Sequence, residues 1–324
     1  MDGGTILLWE YFDGPVESRI YHSVDGINYT LKHTIAGTGK VNAAAFSGTS
    51  WVVCGQDGVW RSNDLGETWD KVYSLACNGV AYGDNVFVVA RGSSSPIVSV
   101  DDGVTWSNTD AGTAAFLGRC LYTGSTFLLF GSANTAYRST SGATGTWVST
   151  THTAYNTQNV VTDGADTVIV FGQQSTPTNE VNYSISTDGG ATWAAASNAG
   201  MPSGADSRAV AFGGGVFVVF GRLLPSGTTW ARYSEDGVTW TSASGVSSIG
   251  LSNGTLAFAY IHQSSKFLVS KYNIATGYYE LGLESTSGAT WTEWGGAAHS
   301  GVIGLFSALG TSQFWHNFVR SYEV

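Results

Sequence analysis

The segment SNDLGETW at residues 62–69 returns along the chain as SVDDGVTW (99–106), STDGGATW (186–193) and SEDGVTW (234–240). SVDGINY (23–29) and STSGATW (285–291) are shorter relatives, and STSGATGTW (139–147) is an extended one. The closing aromatics stand at 29, 69, 106, 147, 193, 240 and 291, so the intervals are 40, 37, 41, 46, 47 and 51 residues. A period of that size marks a repeat architecture. No break in composition interrupts it, and one repeat domain spanning 1–324 is expected.

The residues around each box read as short strands. The unit holding the box at 99–106 runs NGVAY, a turn at GDN, VFVVA, a loop at RGSSSP, IVSV, the box, then TWSN. The unit holding 234–240 runs RAVAF, a turn at GGG, VFVVFG, a loop at RLLPSG, TWARYS, the box, then TWTS. Each is four antiparallel strands, A to D, with the box as the C-to-D hairpin. A four-stranded unit of about 40 residues cannot bury both faces alone, so its neighbours must stack on it. Radial stacking leaves only short protected edges. The expected fold is all-β, a seven-bladed β-propeller of four-stranded antiparallel blades. The N-terminal TILLWEYFDG, RIYHS and YTLKH read as B, C and D, and the C-terminal GLFSALGTSQFWHNFV as A and B. Ring closure by both ends then leaves one B-like strand surplus, and which one stays open.

Within a box, Ser and Asp two residues apart can bond the turn backbone, Gly supplies positive φ, and the aromatic carries apolar surface between blades. The pattern resembles the Asp-box, or BNR repeat, S-x-D-x-G-x-x-W. It is complete through Ser62, Asp64, Gly66 and Trp69, through Ser99, Asp101, Gly103 and Trp106, and through Ser186, Asp188, Gly190 and Trp193. Shorter versions use Asp25 and Gly26, then Asp236, Gly237 and Trp240; Ser141 and Ser287 replace Asp in the boxes that close on Trp147 and Trp291. The resemblance implies a sialidase-like propeller fold and leaves function open, since that superfamily holds sialidases, other glycoside hydrolases, receptors, assembly factors and phage proteins.

The formal charge of -10, with 14 Lys plus Arg against 24 Asp plus Glu, argues against nucleic acid, whose binders gather cations on one face. The N-terminal MDGGTILLWEYFDG has neither the basic start nor the apolar length of a signal peptide or membrane span. Cys54, Cys77 and Cys120 are odd in number and lack metal spacing, so buried free thiols are expected. The six histidines fall in no metal-ligand spacing, and neither a nucleophile elbow nor a phosphate loop is present. No cofactor and no metal are expected.

The resemblance implies a ligand on the face opposite the boxes, where the B-to-C and D-to-A connections lie. Asn42, Asn78 and Arg208 stand four residues before the strand A aromatics Phe46, Tyr82 and Phe212. Arg91, Arg222, Gln173, Gln174 and Glu180 come from B-to-C loops, and His152, Tyr155 and Asp206 from D-to-A loops. Such side chains suit a sugar or a polar protein surface. A sialidase also needs clustered arginines, a Tyr with a Glu, and an acid. Four of the nine arginines, Arg19, Arg61, Arg138 and Arg232, recur on strand C just before a box, the wrong place. Among carboxylates outside the boxes, Glu180 with Asp206 is the pair to inspect for glycosidase work.

The expected function is a non-enzymatic binding and structural propeller, a phage virion, tail or surface component contacting other proteins or the host surface. A glycan-binding, lectin-like propeller is the alternative, and a sialidase-like glycoside hydrolase the second. The composition, rich in Gly, Ser, Thr and aromatics, resembles virion or extracellular surface proteins.

Overall fold

A computed structural model of the chain describes residues 6–13, 16–23, 28–36, 41–92, 94–111, 117–131, 134–174, 180–246, 258–261, 264–273, 278–295 and 302–307. Twenty-seven strands fall into seven antiparallel sheets, with no helix among the described residues. Six sheets have four strands in the order A-B-C-D. The seven A strands neighbour one another in cyclic order, the last meeting the first, so the sheets are the blades of a closed seven-bladed propeller with strand A innermost.

Closure is by the two ends. Blade one takes strand A from Val302–Ser307 and strand B from Ile6–Asp13, paired from Ile6 opposite Ser307 to Glu10 opposite Val302. The N-terminal candidate therefore fills the B position, and the competing one, QFWHNFV at 313–319, lies outside the described residues.

Blade five departs from the four-strand expectation. Its sheet has three strands, and after Trp193 come Ala194, Ala195 and Ala196, residues with small β preference. The fourth position is held by the reciprocal backbone pair of Tyr183 and Ser197 and by Ala194 N–H donating to Ile185.

The cores lie between blades, because side chains alternate along each strand and so reach both neighbours. Seven hydrophobic clusters result, and each contains one box aromatic: Tyr29, Trp69, Trp106, Trp147, Trp193, Trp240 or Trp291. Each ring packs between its own blade and the preceding one. Cys54, Cys77 and Cys120 are buried free thiols, and burial pushes the Cys77 thiol up to about 12.

The box hairpins share one hydrogen-bond scheme. The buried Ser hydroxyl at the end of strand C accepts the Gly N–H at 2.8 Å in Ser62–Gly66, Ser99–Gly103, Ser139–Gly142 and Ser234–Gly237, and at 2.9 Å in Ser186–Gly190 and Ser285–Gly288. That bond persists where Asp is replaced by Ser, so serine is the constant element of the turn. Asp25 and Gly26 of the first box lie outside the described residues.

Glycine is required in the box for two reasons. At Gly237 φ is +72°, and a Cβ would stand 2.7 Å from Cδ1 of Ile169 on blade five. At Gly288 φ is +73°, and the same atom would stand 2.5 Å from Cγ2 of Val218 on blade six. The turn must both adopt a left-handed backbone and let the preceding blade come close.

The threonine before each aromatic completes the scheme. Thr68, Thr105, Thr192 and Thr239 donate backbone N–H and hydroxyl to Asp64, Asp101, Asp188 and Asp236. The Thr105 hydroxyl and then its N–H hold Asp101 down at about 2. At Asp188 desolvation pushes up, but the Thr192 hydroxyl and N–H outweigh it and leave about 2. These folded values lie below the ordinary 3.8, so the unfolded chain binds more protons between them. The stability the carboxylates contribute is present above about pH 4 and lost as pH falls toward 2.

Candidate functional site

In blade six, strand A (Ala205–Gly213) descends to the Gly214-Gly215 turn and strand B (Val216–Leu223) returns. The start of A and the end of B therefore meet on the face opposite the boxes, with Asp206 directly across from Arg222. The register shifts between Ser207 and Ala209, leaving Arg208 as the extra residue of a β-bulge. The same shift occurs at Asn42, Gly118 and Gln158 in blades two, four and five, so the bulge is a feature of strand A at this rim. Ala209, Ala211 and Phe220 pack against blade seven, and strand alternation puts Asp206 and Arg222 on that same side.

Three residues singled out in the sequence converge here. Asp206, 5 % exposed, accepts from Arg208 Nη2 and from Arg222 Nε (3.0 Å) on one carboxylate oxygen, and from the Arg222 backbone N–H (3.3 Å) on the other. Both arginine side chains are largely buried, at 14 % exposure for Arg208 and 16 % for Arg222. Gly221 makes the approach possible, since a Cβ there would collide with the Asp206 carbonyl oxygen and the Trp230 indole. Asp206 is the only acceptor that Arg208 has among the described residues, and its Nε is buried with no partner. The cluster carries two positive charges and one negative, a net of +1 (2 − 1), in a chain whose formal charge is -10.

The other candidates lie apart from this cluster. Asn42 donates to the Cys77 carbonyl at 2.8 Å and ties blade two to blade three. Arg91, buried, donates to the Tyr73 hydroxyl and to Asn108 (3.2 Å) while lying over the Tyr73 ring. The Asn78 backbone N–H bonds the Ala90 carbonyl and starts strand A of blade three. Glu180, half-buried, accepts from Asn198 at 2.9 Å, so it and Asp206 have separate partners. Tyr155 is 49 % exposed and its backbone N–H bonds Asn182. Gln173 donates its backbone N–H to the Tyr155 carbonyl, and the side chain of Gln174 lies outside the described residues.

His152 is a core residue. It is fully buried between Phe130 and Trp193, with Nε2 3.3 Å from the Thr157 hydroxyl. Desolvation lowers its pKa from 6.5 to about 4, against a smaller upward push from the backbone at Ala154. The folded value lies below the unfolded one, so the neutral ring's contribution is present above pH 6.5 and lost as pH falls toward 4. That span corresponds to roughly 3 kcal/mol. We expect His152→Gln to flatten the stability profile between those limits, measured by denaturant unfolding at several pH values. An unchanged slope would place the acid sensitivity elsewhere.

Two features escaped the reading of the sequence. One is the box threonine, although its recurrence at 68, 105, 146, 192, 239 and 290 was available there. The other is a set of polar links from the start of strand A to the next blade: Arg119 donating to the Thr157 carbonyl (3.3 Å) and Asn159 to the Ser207 hydroxyl (3.2 Å). Among the described residues no group of three His, Cys, Asp or Glu side chains could hold a metal ion.

No protein-family model and no curated protein matches the chain. Among solved structures it is similar to the GH74 xyloglucanase from Xanthomonas campestris, at 18 % identity and TM-score 0.58, over 79 % of this chain and 45 % of that one. It thus spans under half the length of that enzyme. It is also similar to YCF48 bound to D1 peptide (14 % identity, TM-score 0.55, 78 % of this chain and 82 % of that). A chain in a mitotic checkpoint complex aligns at 12 % identity and TM-score 0.59 over 87 % of each. At these identities the likeness is one of fold, and the chain shares with them the β-propeller.

Proposed function

We propose that the chain is a non-enzymatic binding and structural propeller of the Asp-box kind, working at a virion or extracellular surface. Its working face is the one opposite the boxes, and its partner there is another protein or a host surface. The observation that carries this reading is the Asp206-held pair Arg208 and Arg222: a fixed, mostly buried cationic group at the rim. Fixed donors of that kind serve recognition, because their ordering cost has been met in folding. A hydrolytic role lacks its chemistry at the inspected pair, since Asp206 is bound to two guanidiniums and Glu180 to Asn198. The glycan-binding alternative draws on Tyr155, an exposed ring on the same face.

The experiment is a glycan-array screen of wild type beside Arg208→Ala and Arg222→Ala, with hydrolysis of xyloglucan and sialosides followed in parallel. Silence on the array and no turnover support a protein partner. Specific binding lost in both variants would shift the function to the glycan reading. Turnover abolished by Glu180→Gln or Asp206→Asn would overturn the non-enzymatic reading.

A further inference from the structure

The box face carries a residue that folding alone does not account for. In the complete eight-residue boxes the residue before the conserved-position glycine has positive φ: +59° at Leu65, +60° at Asp102 and +64° at Gly189. Glycine takes that conformation freely, and a short polar residue does so at small cost. Asp102 also uses it to bond the preceding blade, accepting from the Ser50 hydroxyl (2.6 Å), the Thr49 hydroxyl (3.1 Å) and Arg61 Nη2 (3.2 Å). Leu65 returns nothing of this kind. Its bulky side chain is strained at positive φ, stands 46 % exposed and belongs to none of the seven hydrophobic clusters. An outlier that opposes stability and packs into no core points to function.

Its neighbours are apolar as well. Val100 is 75 % exposed and Val104 more than half exposed, one on each side of the turn in the next box. The two hairpins adjoin, because each box lies over the preceding blade. A Cβ on Gly103 would stand 2.8 Å from Val52 Cγ2 of blade two, and Asp102 pairs with Arg61, which leads into the box of Leu65. Of the eight large apolar side chains exposed among the described residues, three therefore stand on two adjoining turns, more than scattered single exposures would give.

Charge selects the occupant. Residues 61–70 and 99–106 hold Asp64, Glu67, Asp70, Asp101 and Asp102 against Arg61, and Lys32 reaches Glu67 from blade one, a net of -3 (2 − 5). A second copy, with its formal charge of -10, is repelled, and so is an anionic lipid surface. A basic segment is attracted, and its long side chains can lay their methylenes over the valines while their charged ends meet the carboxylates.

We propose that Leu65, flanked by Val100 and Val104, is the apolar anchor of a docking surface on the box face of blades two and three, occupied by a basic segment of a partner protein that carries an apolar side chain. An apolar centre within a charged rim is the usual anatomy of a protein interface. This surface is separate from the arginine cluster of blade six and stands whether or not that cluster binds a partner.

The test uses the full chain with 13C-labelled leucine and valine methyls. Leu65→Asn, Val100→Thr and Val104→Thr assign the three signals. Titration with the capped peptide Lys-Leu-Lys-Leu-Lys is expected to move them saturably, with binding weakened about tenfold by Leu65→Asn and by raised salt. Asparagine tolerates positive φ, so the same variant is expected to unfold in urea at a midpoint no lower than that of wild type. Leu65→Gly is the second variant should the first fail to fold. Capped Lys-Gly-Lys-Gly-Lys and Glu-Leu-Glu-Leu-Glu are run as separate arms, beside a dilution series of the chain alone. Signals that stay still up to about 10 mM peptide, or equal binding by wild type and a folded variant, overturn the proposal. Equal binding of the glycine peptide removes the apolar anchor, and equal binding of the glutamate peptide removes the charge selection; either result overturns it as well. A midpoint lowered in both variants would assign Leu65 to folding. Methyl shifts that follow protein concentration without peptide would give the surface to a second copy and overturn its basic-partner form.

Discussion

Trp291→Ala is expected to destabilise the protein by about 3–5 kcal/mol, the cost of emptying a large aromatic site in a packed core. Trp291 is 3 % exposed and lies between blades six and seven. Its ring meets Phe220 edge-on at 4.8 Å, with Phe258 at 5.9 Å and Phe267 at 6.2 Å. Its Nε1–H donates to the Gly288 carbonyl at 2.8 Å, so the truncation also removes a bond closing the box turn. The three surrounding aromatic rings cannot collapse into the space without moving strands of two blades, and the residual cavity adds to the lost transfer energy. The same change at Trp106 is expected to cost less, because that ring is only half-buried. Equilibrium unfolding of the two variants in urea provides the measurement. A Trp291→Ala loss below about 1 kcal/mol would mean that the box aromatics do not join the blades.

Asp206→Ala is the second large effect, also about 3–5 kcal/mol, because it leaves two mostly buried guanidiniums facing each other without their carboxylate. The cost belongs to the stranded charges rather than to the ion pair itself. A triple replacement, Asp206→Leu with Arg208→Met and Arg222→Met, should therefore recover most of the loss, since an apolar set of similar volume has no charge to desolvate. Unfolding in urea separates the cases. If the single variant lay within about 1 kcal/mol of wild type, the guanidiniums would be hydrated in the folded state and the cluster would be an ordinary surface pair.

The cluster shows how the site could be found in part from sequence. Asp206 and Arg208 stand two apart on strand A, and Arg222 near the end of B falls opposite Asp206 once the hairpin at Gly214-Gly215 is placed, although the bulge at Arg208 breaks the simple alternation between them. Those steps were within reach. The fate of His152 and Arg91 was not, because each stands in a loop segment as polar as its neighbours. Only the arrival of Phe130 and Trp193 around one, and of Tyr73 from the preceding blade against the other, turns them into packing residues.

The amino-acid sequence by itself determined the number of blades, the A-to-D strand order and the role of the box hairpins, because those depend on local features: alternation of apolar residues, turn glycines and a spaced aromatic that recurs seven times. Tertiary structure alone decided that the N-terminal strand fills the B position of blade one, that blade five lacks a regular fourth strand, and that the arginines at the rim of one A–B strand pair become a largely buried cationic cluster. The physical reason is range. A hairpin is specified by residues a few positions apart, whereas the desolvation and pairing of a charge depend on what two neighbouring blades bring to it once the ring has closed.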